Sequence, residues 1–307
     1  MINRTLMRIK VLQILYNYYK VRGMSLATAL GILRVASEDS YRLYLFLLGL
    51  PLEVSEMAEE MLGVEEEKFT QDHEVVALLN HLIRNPLIQL LGEDVALLSL
   101  RNDLNYSSSE YLLFVRRATQ QIVEQLLTGA VEVEWEDFDS VRRAWRHFYG
   151  ELFLDNEQFE EILSGFSTYL NDDIPIVFTF VTKAFNAVTE EKPFAEVRRP
   201  AYGSEDEERF GYDLLEAAIR GGEEYRERIS HYFKNWDRER VSEMDYLILQ
   251  LAMAEAIKFP LIPTTVTINE YLNLTHYYSA PHSHAFINGI LHELFEDLKE
   301  EGTILGM

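Results

Sequence analysis

The chain reads as all-α. Three observations point that way. Apolar residues recur at spacings of three and four along most of its length, helix-starting residues precede these runs, and glycine or proline follows them. The one alternating stretch, residues 131–135, has no second alternating run to pair with, so it reads as an extended linker rather than a strand.

The elements follow in order. Residues 3–19 form an amphipathic helix, with Leu12, Leu15, Tyr16 and Tyr19 as its apolar spacing and Arg4 and Arg8 one turn apart on one stripe. Residues 26–48 form a longer helix that Gly49 and Pro51 end, and 54–62 a short one with an acidic face. Residues 75–83 and 86–91 are apolar helical segments divided by Asn85-Pro86. Ser107, Ser108 and Ser109 offer N-caps to a helix over 110–127, which Thr128-Gly129 ends. Helices follow over 138–153, 156–170 and 174–188. Residues 189–204, with Pro193, Pro200 and Gly203, lack helical periodicity and form a linker. Ser204 and Glu207 make a capping box for a helix that runs to Arg220 and stops at Gly221-Gly222, and residues 223–236 form the next. Ser242 with Asp245 caps a helix over 243–258, and Pro260 and Pro263 mark the turn after it.

Composition narrows the function. There is no cysteine, which removes disulfides and cysteine-based zinc sites and fits a reducing compartment. The net charge of −23 argues against a surface that binds nucleic acid everywhere. Its distribution matters more: residues 1–37 carry +6, residues 38–200 carry −18 and residues 201–307 carry −11. The basic segment is the N-terminal one. No signal peptide or membrane span is read, because Arg8 and Lys10 interrupt the N-terminal apolar run and the longest apolar run is too short; the expectation is a cytoplasmic protein without a membrane. No two glycines stand two apart and there is no G-K-[ST], so phosphate and dinucleotide loops are absent and no cofactor is expected. The acidic runs read as solvated faces, and His147 and His231 have no Ser or Cys partner at a recognisable spacing, so the chain reads as no enzyme.

Residues 266–291 organise the C-terminal part. Ile268, Tyr271, Leu272 and Thr275 lie on one helix face; Ser279-Ala280 break it; Pro281 suits a first helical position; Phe286, Ile290, Leu294 and Leu298 form a second stripe. Asn269, Glu270, His282, Ser283, His284 and Asn288 then cluster at one helix–loop–helix corner. Asn269 and Asn288 read as buried amides tying helix ends together, and Gly289 as a point of close helix approach. His276, His282 and His284 read as polar surface and not as a metal site, because their spacing places no ligand set on one face.

This corner resembles the end of the transcription antitermination factor NusB family, V-x-I-N-E-x-x-x-L followed by S-H-K-F-V-N-G-V-L. The matching residues are Val266, Ile268, Asn269, Glu270, Leu274, Ser283, His284, Phe286, Ile287, Asn288, Gly289, Ile290 and Leu291, with Ala285 in the lysine position. Residues 11–16, V-L-Q-I-L-Y, resemble the family's A-L-Q-x-L-Y, and Arg4 and Arg8 fall on its arginine positions, while Thr5 and Leu6 fall on positions often basic. Asp213-Leu214-Leu215, residues 236–241 and residues 247–255 match further family segments, with Gln250 in place of an arginine.

The resemblance implies a NusB-like helical bundle fold with an inserted helical segment: residues 1–24 and 205–307 form the core and 25–204 the insertion. It implies an antitermination factor that binds single-stranded box A RNA of ribosomal leaders together with the small-subunit ribosomal protein NusE, within the RNA polymerase antitermination complex. It implies RNA contacts from Arg4, Arg8, Lys10, His282, Ser283, His284 and Phe286, and partner contacts from Tyr16 and Glu255. The alternatives are a protein-interaction scaffold with reduced RNA binding, and an accessory domain of the kind fused to ribosomal RNA cytosine methyltransferases.

Overall fold

Fifteen α-helices follow one another in a computed structural model that describes residues 1–103, 109–153, 156–235 and 241–305. Among the described residues there is no strand, only an isolated bridge between Thr189 and Lys192. The helices are α1 (Arg4–Lys20), α2 (Leu26–Glu66), α3 (His73–Ile83), α4 (Pro86–Gly92), α5 (Val95–Asp103), α6 (Ser109–Leu127), α7 (Phe138–Phe153), α8 (Glu157–Phe166), α9 (Ile174–Ala187), α10 (Phe194–Val197), α11 (Glu205–Arg220), α12 (Gly222–Ser230), α13 (Glu243–Lys258), α14 (Thr264–Tyr278) and α15 (Ser283–Glu300). They form two compact units, one of Met1 with Glu38–Ala201 and one of Ile2–Ser37 with Tyr202–Met307.

Helix α2, whose residues from Glu38 onward belong to the first unit, departs from expectation. It runs unbroken for 41 residues, with Pro51 inside it. Proline has no N–H for the carbonyl four residues back, that of Leu47. The buried Tyr149 hydroxyl of α7 donates to that carbonyl instead, so the helix continues without an orphaned acceptor. The expected division at Asn85-Pro86 is present: the Asn85 side chain accepts from the Ile88 N–H at 3.1 Å and donates to the His81 carbonyl at 2.9 Å. By length and composition His73–Gly92 could cross a membrane, but this break splits it into α3 and α4. The sequence reading gave no helix over α5, whose first turn Asp94 caps by accepting from Ala96 at 2.9 Å. The serine N-caps proposed at 107 and 108 lie outside the described residues. Residues 131–135 form no strand.

The second unit is built around α1 and α13, whose side chains are buried over most of their length. The expected amphipathic first helix is therefore an interior one: Leu6 to Leu12, Ile14 and Leu15 are all buried. It lies against α11, where an added Cβ at Gly211 would stand 2.0 Å from the Met7 methyl, so a larger residue there would push the methionine tip aside. Ser204 caps α11 as expected, accepting from Glu207 at 3.2 Å, but the Glu207 carboxylate turns to the Gly203 N–H at 2.9 Å and the box stays open. The Ser242–Asp245 box at α13 is complete. Helix α15 starts at Ser283, two residues after Pro281. Gly289 is exposed and nothing lies near it, so it makes no close helix approach, and Asn269 is exposed rather than buried.

Candidate nucleic-acid interface

Two polar knots position the corner between α14 and α15, and a third ties α13 to α1, α11 and α12. The first begins at Arg8 on α1. Its guanidinium donates twice to Glu255 of α13, both at 2.7 Å, and stands 3.0 Å from Glu270 of α14. Thr267 and Tyr271 of α14 also donate to Glu255, at 3.0 and 3.1 Å, and Thr5 donates to Glu270 at 3.0 Å. Arg8 is 3% exposed and Glu255 is fully buried. Burial pulls the Arg8 pKa down, but the bonds and charge of Glu255 outweigh it and the net shift is upward. Burial, then the charge of Glu255, pushes the Tyr271 hydroxyl well above the ordinary tyrosine value.

The second knot fixes the corner itself. The buried Asp245 carboxylate accepts from the Ser242 N–H at 3.1 Å, from Ser283 at 3.2 Å and from Ser279. One carboxylate thus starts α13, ends α14 and starts α15. In the third, Gln250 donates to Tyr19 at 2.9 Å and to the Ala218 carbonyl at 2.8 Å, and accepts from Arg226 at 3.1 Å. A glutamine in the position that resembles a family arginine has Arg226 beside it.

Thr5 to Glu270 and Gln13 to Tyr278, the latter at 3.5 Å, both span 265 residues, so α1 and α14 run parallel and in register for about 12 Å. The exposed face beside them differs from the rest of the chain. Between Lys258 and Glu293 the one carboxylate is Glu270, which shares the Arg8 guanidinium with Glu255. Asn269, Asn273, His276 and Tyr277 of α14 are exposed, as is His282, with His284 half-buried. The His276 and His284 rings are 5.3 Å apart.

The predicted contact residues therefore separate into two sets. Arg4, His282 and His284 reach the surface, and Tyr16 of the partner set is 36% exposed. Arg8, Lys10, Ser283, Phe286 and Glu255 are buried. This corrects the sequence reading: Arg8 meets carboxylates and not phosphate, Ser283 serves Asp245, and Phe286 packs 5.6 Å from the Phe233 ring. Arg4 and Arg8 do share a stripe, but both guanidinium groups lie 5.3 Å over Phe210. Among the described residues no group of three metal-ligating side chains occurs.

A family model described as the NusB family matches residues 179–296. The chain is 36% identical over 91 residues to the transcription antitermination protein NusB of Dictyoglomus thermophilum, covering 30% of this chain and 63% of that protein. It is 30% identical over 95 residues to the protein of the same name from Salinibacter ruber, covering 31% and 59%, and 37% identical over 92 residues to that of Koribacter versatilis, covering 30% and 63%. The chain thus spans about three fifths of the length of these relatives. No solved structure matches it.

Proposed function

We propose, for a chain whose residues 179–296 match the NusB family model, that it is a non-enzymatic antitermination factor of the cytoplasm. In this reading it binds the single-stranded box A of ribosomal leader transcripts with the small-subunit protein NusE, as part of the RNA polymerase antitermination complex. Residues 1–24 and 205–307 form the NusB-like core, and 25–204 is an insertion. The observation that carries the RNA reading is the face from Lys258 to Glu293. On a chain of net charge −23 it carries a single carboxylate, Glu270, which is ion-paired to Arg8, and it presents imidazoles and amides that can meet phosphates and bases. Arg4, His282 and His284 contact RNA directly, while Arg8, Ser283 and Glu255 hold the helices that carry them.

Binding of the full chain to box A RNA across a salt titration, with and without the small-subunit protein, tests this. Arg4→Glu is expected to weaken binding several-fold and to lower the salt slope by about 1. No binding at low salt, with the partner present or absent, overturns the proposal.

A second reading is a protein scaffold with reduced RNA binding. It is favoured by the burial of Arg8 and Lys10, which leaves few cations for phosphate. Here Tyr16 is the partner contact, and capture of the small-subunit protein would gain nothing from RNA.

A further inference from the structure

We infer that Tyr277, together with the His276–His284 pair, is a stacking platform for unpaired bases of the bound RNA; this rests on the RNA reading above. Tyr277 is 83% exposed, although it sits in the last turn of a helix whose other face is core. Its neighbour Tyr278 faces the other way and accepts from Gln13 of α1. The turn that carries Tyr277 is therefore anchored while its ring stands in solvent. An exposed tyrosine alone carries little, but here three further observations coincide.

First, Asn269, Asn273, His276 and Tyr277 fall at i, i+4, i+7 and i+8, so amides, an imidazole and a phenol make one exposed strip along α14. Second, His276 and His284 come from different helices, yet their rings lie 5.3 Å apart with an interplanar angle of 38°. Asp245 fixes that geometry, since it binds Ser279 and Ser283 between the two histidines. Third, Glu270 is the one carboxylate between Lys258 and Glu293, and it is held by Arg8 and Thr5. Flat rings on a rigid corner, interleaved with hydrogen-bonding side chains, suit the π-faces and edges of splayed bases.

The test uses the full chain and box A RNA in which single adenines are replaced by 2-aminopurine, whose fluorescence is quenched by stacking on a ring. Tyr277→Ala is expected to weaken binding about tenfold and to abolish quenching at one position, with the salt slope unchanged because no phosphate contact is lost. Tyr277→Phe keeps the ring and should keep both affinity and quenching. His276→Ala should relieve quenching at an adjacent position. If the wild-type chain binds RNA but Tyr277→Ala binds and quenches as well, the platform is overturned and the proposed function stands. If Tyr277→Ala instead loses the small-subunit protein and retains RNA, the surface is a protein contact and the platform is again overturned. A wild-type chain that binds no RNA overturns both.

Discussion

Arg8 and Glu255 form a bidentate ion pair between residues 247 apart in the chain, both shut away from water. Removing either partner leaves the other as an uncompensated buried charge, which costs far more than a surface pair is worth. Arg8→Ala should destabilise the chain by about 3–5 kcal/mol. The double variant Arg8→Met with Glu255→Met should recover most of that loss. Urea unfolding midpoints would check both, and a wild-type midpoint for Arg8→Ala would refute the structural role. The contrast with Arg4→Glu is informative: that exposed residue should change RNA affinity and leave the midpoint alone.

The interior of α2 offers a second test. Tyr149 replaces the backbone donor that Pro51 lacks, at the carbonyl of Leu47. Tyr149→Phe keeps the ring and removes the donor, so a buried carbonyl is orphaned at about 1–3 kcal/mol. Adding Pro51→Ala restores an N–H at that carbonyl, and the two changes together should cost less than Tyr149→Phe alone. A strictly additive cycle would mean that the hydroxyl does not substitute for the missing helix bond.

These two cases show where the sequence was informative and where it was not. Several features set within one turn were legible: the Asn85-Pro86 break, the Ser242–Asp245 box and the Gly221 stop stand as expected, although the Ser204–Glu207 box does not close. Pro51 misled because its remedy, Tyr149, lies far off in the chain and leaves no local signal. Arg8 misled for a related reason. Periodicity gave its stripe correctly, beside Arg4 and over Phe210, but a stripe does not tell whether it faces water or a buried carboxylate. With α1 buried on nearly all sides, charge stopped being a marker of surface. Tyr277 failed to stand out because an aromatic residue at the end of an apolar helix reads as core.

Alkaline pH should weaken the fold in a defined window. Burial, then the bond to Asp297, pushes the Tyr232 hydroxyl from 10.0 to about 12. Burial drives Tyr149 and Tyr271 well above 10.0. A pKa raised on folding gives stability that is full below the unfolded value and lost as pH climbs through the folded one. Stability should thus hold up to about pH 10 and fall beyond it. Absorbance titration of the phenolates should show late-ionising groups, and Asp297→Ala should move one of them toward 10. An early, uniform titration of all 17 tyrosines in the folded chain would contradict these environments.

Asp245 links folding to the binding face most directly. Its carboxylate accepts from the Ser242 backbone and from the hydroxyls of Ser279 and Ser283, so it closes the first turn of α13 and clamps the α14–α15 corner together. Asp245→Ala removes all of these at once and strands the buried Ser283 hydroxyl and the half-buried Ser279 hydroxyl, a loss of about 3 kcal/mol given charge-assisted bonds. The effect should be local before it is global. Amide exchange at residues 279–286 should accelerate while α1 stays protected by the Arg8–Glu255 pair. Because His276 and His284 then lose their fixed spacing, RNA affinity should drop even at temperatures where the chain remains folded. Exchange at the corner equal to the wild type would show that the Asp245 clamp is not what holds α14 against α15.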